Sequence, residues 1–261
     1  MRVAVAGATG RIGSLTVEAL ELMGHETVGI SRRQGIDAYT GERLVSALAG
    51  VDALVDALSS NATDHDEVVG FFSQSTRNLL EAEQETGVQH HVLLTIVGLS
   101  RYDGNAHAAG KRAQERLVEQ GPVPWSVLPA TQFHDFAEMV TTWTEQDGSA
   151  TIAPLLVQPV APADVADVLA EIATGPPQGR CPDLAGPETQ DLVDLARRTR
   201  AARGTSIRLV PTWSSGLFGV DMAGDVHLPG PGARIAPTTF DDWLAQLPDR
   251  ERAEERGHHR A

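Results

Sequence analysis

Cysteine occurs once in this 261-residue chain, at Cys181, which excludes an internal disulfide and a cysteine-ligated zinc centre. Positive charge is scarce: 21 Lys and Arg stand against 35 Asp and Glu, a formal charge of −14. That balance disfavours a nucleic-acid surface or adhesion to anionic lipid. No apolar run approaches membrane-spanning length, and the first residues lack the basic region and cleavage site of a secretory signal, so a cytoplasmic location is expected. A P-loop lysine, a serine nucleophile elbow and an aromatic platform for bases are all missing. His90 and His91 are adjacent on a strand-like run, where their side chains point to opposite faces, and His258-His259 lies near the end of the chain, so no metal site is expected.

What is present is a globular composition, 41% hydrophobic and 21% charged, with enough length for one large α/β domain and a small C-terminal lobe. The most constraining stretch is at the start. The apolar run Arg2-Val3-Ala4-Val5-Ala6 leads straight into Gly7-Ala8-Thr9-Gly10-Arg11-Ile12-Gly13. Three glycines permit a tight turn, a close approach of backbone to phosphate and close packing of helix on strand, and the free N–H groups of a helix start favour an anion. Ile12, Leu15, Ala19, Leu22 and Met23 then recur at helical spacing up to Gly24. The following strand, His25 to Ile30, ends in Ser31-Arg32-Arg33, at the distance where such a unit reads the adenosine ribose. An acid there would repel a 2′-phosphate; a hydroxyl and two guanidinium forks suit one, which favours NADP(H) over NAD(H).

The alternation continues, predicting a Rossmann-type doubly wound parallel sheet. Helices are expected over 41–48, 64–86 and 108–119, and strands over 53–58, 91–97 and 125–129. Gly7, Ser31, Leu58, Thr95 and Pro129 then share the carboxyl edge, where ligands gather. Further helices are expected near His134, after Pro162-Ala163-Asp164, over 189–203 and around Phe240 to Leu247, with a loop over 216–234. The division is an NADP-binding core over 1–132, a part over 133–248 that completes the sheet and forms the substrate pocket, and a charged flexible tail over 249–261.

The glycine turn, taken with Thr95-Ile96-Val97-Gly98, Lys111-Arg112-Ala113-Gln114-Glu115 and Pro129-Ala130-Thr131-Gln132-Phe133, resembles the atypical short-chain dehydrogenase/reductases of the NmrA-like, NAD(P)-binding group. The likeness runs from Met1 to about Leu247. It implies that Gly7, Thr9, Gly10, Arg11, Ile12 and Gly13 hold the pyrophosphate, and Ser31, Arg32 and Arg33 the 2′-phosphate. Ala57, Leu58 and Ser59 would flank the adenine and its ribose. Thr95, Ile96 and Val97 would border the nicotinamide half, Lys111 its ribose, and Pro129, Ala130, Thr131 and Phe133 the ring. The implied activity is NADP(H)-dependent reduction of a carbonyl or quinone of a small molecule. A redox sensor that binds NADP(H) without catalysis, or an epimerase using bound cofactor, are the other activities the group contains.

In active short-chain reductases a tyrosine four residues before a lysine donates the proton. Here that position is His107, with Ala108 after it. Three groups can replace it: His107 itself, one helical turn from Lys111; Tyr102, in the preceding loop; or water. Thr95 would polarise the acceptor. Phe133, His134, Trp143 and Trp213 are the residues expected to line the substrate pocket, and the protein is expected to be a monomer or homodimer.

Overall fold

The computed structural model describes residues 1–102, 105–214 and 217–247. The expected tail over 249–261 lies outside the described residues. The main sheet uses β1 (Arg2–Ala6), β2 (Glu26–Ile30), β3 (Ala53–Asp56), β4 (His90–Ile96) and β5 (Trp125–Ala130). The C-terminal part supplies β6 (Glu145–Gln146), β7 (Ser149–Ile152), β8 (Leu156–Val157), β9 (Gly179–Arg180), β10 (Leu184–Ala185), β11 (Gln190–Asp191), β12 (Arg208–Pro211) and β13 (Arg234–Ile235). The helices are α1 (Arg11–Leu22), α2 (Leu44–Leu48), α3 (His65–Thr86), α4 (Ala106–Glu119), α5 (Phe136–Thr144), α6 (Pro162–Ala173) and α7 (Leu192–Ala202), and residues 240–247 are also helical.

The main sheet runs β13-β10-β5-β4-β3-β1-β2, with β9 paired to β5, and every pairing in it is parallel. The chain steps from β1 outward to β2, then crosses back to β3 on the other side of β1. The strand order therefore reverses between β1 and β3, and their carboxyl ends form the topological switch point at which open α/β sheets bind ligands.

Strand alternation assigns the two faces. Val3, Val5, Val55, Val92 and Leu94 pack beneath α1 and α6 against Leu20, Val165 and Leu169. Ala4, Ala6 and Leu54 face the other way, toward Leu44 and Leu48 of α2 and Leu79 of α3, and Leu93 and Val127 meet Val118 of α4. Burial on both faces explains why these strands read as continuous apolar runs. A separate cluster unites α5, α7 and the last helix through Val140, Leu195, Phe240, Trp243 and Leu247. No helix among the described residues is long and apolar enough to cross a membrane.

Local side-chain caps close three of the helix starts. Asp64 accepts from Glu67 N–H (2.9 Å), Asn105 from Ala108 N–H (3.1 Å) and Asp191 from Asp194 N–H (3.0 Å), each closing a helix start. The helix expected from residue 41 starts only at Leu44, because Gly41 and Arg43 adopt positive φ (77° and 62°). Asp164 sits inside the first turn of α6 and accepts from Thr238 N and Oγ1, tying that helix to the last one. Of the loop expected over 216–234, residue 216 lies outside the described residues, and the rest is less irregular than expected, since it contains a 3-10 turn at Val220–Met222 and ends in β13.

Candidate functional site

The glycine turn folds back on itself. Gly7 has φ +80°, and a Cβ there would lie 2.8 Å from Ala57 O at the end of β3; a Cβ on Gly13 would lie 2.1 Å from Gly7 O. The loops after β1 and β3 thus touch at the switch point. Gly10 is the N-cap of α1 and provides no side-chain cap. Ser14 is the first residue to bond back, to Gly10 O (2.9 Å), so the amides at the start of α1 are left for an external acceptor. A cradle that a Cβ would fill, beneath an uncapped helix start, fits the pyrophosphate of a dinucleotide.

At the tip of β2, Ser31 Oγ donates to Gln34 Oε1 (2.8 Å) and Arg32–Gln34 form a 3-10 turn. Arg32 and Arg33 are exposed, and neither has a partner among the described residues. Two guanidinium groups are therefore free at the place where the adenosine ribose would end.

Arg11 departs from expectation. Its backbone is at the anion site, but its guanidinium pairs with Asp135, donates to Met139 Sδ (3.1 Å) and sits 5.6 Å over the Phe133 ring. Burial lowers its pKa to about 10, with Glu138 opposing the shift. The side chain fastens the glycine turn to the C-terminal lobe instead of facing the switch point.

Lys111 is also placed differently. It is 5% exposed, and its three ammonium protons go to Leu58 O (3.2 Å), Leu94 O (3.1 Å) and Gln114 Oε1 (2.8 Å). None remains for a ribose hydroxyl. Burial lowers its pKa to about 8, while Asp56 and Glu115 hold it up. Gln114 Nε2 continues the network to Asp56 Oδ2 (2.7 Å), whose other oxygen accepts from Leu58 N (3.0 Å). Lys111 thus ties the loop after β3 to strand β4. Lys111→Met strands three buried acceptors and is expected to destabilise the fold by about 3 kcal/mol. Calorimetric melting and cofactor titration should show stability and affinity falling together.

The other catalytic expectations need similar correction. Thr95 Oγ1 donates to Glu115 Oε1 (2.7 Å), beneath α4, so its proton is not free for a substrate carbonyl. His107 lies edge-on to Phe72 (centroids 5.3 Å apart), and burial, reinforced by Lys111, lowers its pKa to about 4, which removes the imidazolium as an acid near neutrality. Tyr102 keeps its proton, since burial raises it to about 12 against the pull of Arg112.

In the expected pocket wall, only Phe133 is next to the cofactor loop, through Arg11. His134 is 1% exposed and wedged between Phe240 (5.4 Å) and Trp243 (5.7 Å), with Nε2 within reach of Thr238 O (3.2 Å); it is an interior staple rather than a lining residue. Trp143 is 57% exposed on the outer side of α5, and Trp213 packs half-buried against the C-terminal cluster. Pro129, Ala130 and Thr131 are buried at the end of β5, where Thr131 Oγ1 donates to Gln158 O (2.6 Å). Ile96 is partly exposed at the carboxyl edge of β4, with Val97 buried behind it. His90 and His91 do point to opposite faces, His90 to Ser126 Oγ (2.8 Å) and His91 to Glu83 (2.8 Å).

Residues 7–176 match a protein family described as NAD(P)H-binding. Two curated relatives are each 26% identical to the chain. Photosystem II assembly factor Ycf39 of Synechocystis sp. matches over 147 residues, 51% of this chain and 45% of that one. Epimerase family protein SDR39U1 of Bos taurus matches over 153 residues, 55% and 47%. The chain thus spans about half the length of these relatives. A crystal structure described as a new type of NADPH-dependent quinone oxidoreductase from Escherichia coli superposes with a TM-score of 0.70 at 18% identity, covering 94% of this chain and 99% of that one. With the glycine turn, the topological switch point and the parallel sheet in place, the chain belongs to the NAD(P)H-binding family, on the Rossmann-type fold of the atypical short-chain dehydrogenase/reductases.

Proposed function

We propose that this protein is an NADP(H)-dependent oxidoreductase that reduces a carbonyl or quinone of a small organic molecule. The observation that carries the cofactor half is the partnerless pair Arg32 and Arg33 at the tip of β2, beside the uncapped start of α1. Guanidinium forks hold a phosphate bidentately, and no acid stands there to accept from a free 2′-hydroxyl. When bound, the reduced nicotinamide supplies a hydride. The chain's own part is to seat the pyrophosphate on the first amides of α1, to select the 2′-phosphate, and to hold the loop after β3 against β4 through Lys111. The E. coli quinone oxidoreductase and the Citrobacter sp. triphenylmethane reductase share the fold, which agrees with this class of chemistry.

Arg32→Ala with Arg33→Ala is expected to weaken NADPH binding by ten- to a hundredfold and to leave NADH nearly unchanged. Titration calorimetry with both coenzymes measures this; equal affinities in the unaltered protein rule out the arginine argument. NADPH oxidation across quinones, aldehydes and ketones tests the activity itself.

A non-catalytic NADP(H) sensor is the second reading. It is favoured by His107 standing where the group's tyrosine would be and by Lys111 spending all its protons on the fold. Tight NADPH binding with no turnover of any acceptor selects it.

A further inference from the structure

We propose that His227, held by Gln132 and flanked by Tyr102, binds the oxygen of the group being reduced, with its Nε2–H as the hydrogen-bond donor. The inference rests on the oxidoreductase reading. His227 comes from a glycine- and proline-rich stretch with no motif to mark it, yet the fold brings it to the carboxyl ends of β4 and β5. Val226 O lies 2.2 Å from where a Cβ on Gly98 would stand, so the segment can cross β4 this closely only over a glycine. Arg101 grips it on both sides of His227, donating to Asp225 O (3.3 Å) and Leu228 O (3.1 Å).

The ring is 3% exposed. Gln132 Nε2, an amide donor just beyond β5, meets His227 Nδ1 at 3.1 Å. Nδ1 must then be the acceptor, and the ring proton sits on Nε2. Among the described residues that N–H has no partner, and neither has Gln132 Oε1. Unmet buried polar groups are rare and costly, and a donor and an acceptor left open on one bonded pair at the ligand edge of the sheet suit a bound molecule. The matching ligand is a carbonyl oxygen for Nε2–H with a neighbouring hydroxyl for Gln132 Oε1, as in a hydroxyketone or hydroxyquinone.

Tyr102 lies against the His227 ring, with centroids 5.0 Å apart. Burial keeps its phenol protonated and, with Arg101, keeps His227 neutral, at about 4. His227 therefore donates a hydrogen bond without surrendering its proton. A bound reduced nicotinamide would supply hydride to the carbonyl carbon; the C=O π pair would move onto oxygen, where the His227 Nε2–H would stabilise the charge, and water would supply the proton, giving the alcohol and the oxidised nicotinamide.

His227→Gln places an amide N–H near Nε2, whereas His227→Asn keeps only an acceptor near Nδ1 for Gln132. We expect His227→Gln to stay within about tenfold of the parent kcat and His227→Asn to lose about 10²–10³-fold, both with unchanged NADPH affinity and with melting temperatures lowered alike by the loss of the buried ring. Independently of activity, nitrogen-15 NMR of the full chain should show the His227 proton on Nε2, with its signal shifted by a hydroxyketone in the presence of NADP⁺. An active parent with an unimpaired His227→Asn variant, or a proton found on Nδ1, overturns the assignment of His227. NADPH binding with no turnover of any acceptor by the parent overturns the oxidoreductase reading, and this inference with it.

Discussion

Gly13→Ala is expected to lower NAD(P)H affinity by at least about a hundredfold. The added Cβ would stand 2.1 Å from Gly7 O, 2.6 Å from Gly7 C and 3.1 Å from Ala8 Cα, all of them backbone atoms that no rotamer change can move. Relief requires α1 to pull away from the turn that begins it, at a cost of roughly 1–3 kcal/mol in overpacking, and the same shift misaligns the amides meant for the pyrophosphate. Gly70→Ala is the control: it lies in α3 with nothing within 4 Å of the new Cβ, so it should add slightly to stability and leave binding alone. Calorimetric titration of the two variants decides the matter. Affinity within threefold of the parent in Gly13→Ala would place the pyrophosphate elsewhere.

The second large effect concerns stability. Glu83 on α3 and His91 on β4 are both 0% exposed and meet at 2.8 Å, with Glu83 Oε2 and His91 Nε2 otherwise unpartnered. Burial raises the Glu83 pKa against the pull of His91; for His91, burial is overcome by Glu83 and Asp56 and the pKa is raised as well. Both shifts mean that the folded state holds protons more tightly than the unfolded one. The contribution of His91 is complete below its ordinary value of 6.5 and is lost as pH climbs through its raised value. Urea unfolding should therefore show stability falling as pH rises above 6.5, with a limiting slope of about 1.4 kcal/mol per pH unit for one proton. Glu83→Gln leaves only the more weakly acting Asp56 to oppose burial at His91, and the slope should shrink or reverse. His91→Leu abandons a buried carboxylate and is expected to cost about 3–5 kcal/mol at pH 7, partly recovered in acid as Glu83 takes up a proton. A His91→Leu variant as stable as the parent would show that the pair bears no charge.

How much of this was legible depended on whether the signal was local. The glycine turn, the apolar runs and the helix spacing identify the Rossmann-type sheet, because strand and helix periodicities are written in neighbouring residues and caps such as Asp64 and Asn105 act within one turn. The tip of β2 was legible for the same reason, since Ser31, Arg32 and Arg33 follow the strand directly. Lys111 was found by its spacing but not by its role. Its protons go to carbonyls 53 and 17 residues away, which spacing within a helix cannot report. The family resemblance implies Arg11 as a pyrophosphate residue; Asp135, beyond β5, claims its side chain. His227 carried no signal, since only the crossing over Gly98 brings it to Gln132 and Tyr102.

The order of residues alone decided that the chain makes a parallel sheet with a phosphate cradle at its first turn and a cationic tip one strand later, because each of these needs only neighbours in sequence. The tertiary structure decided which side chains remain available to a ligand. Desolvation and competition for hydrogen bonds depend on groups far apart in the chain, and they spend Thr95, Lys111 and Arg11 on the fold while leaving Arg32, Arg33 and one nitrogen of His227 unspent.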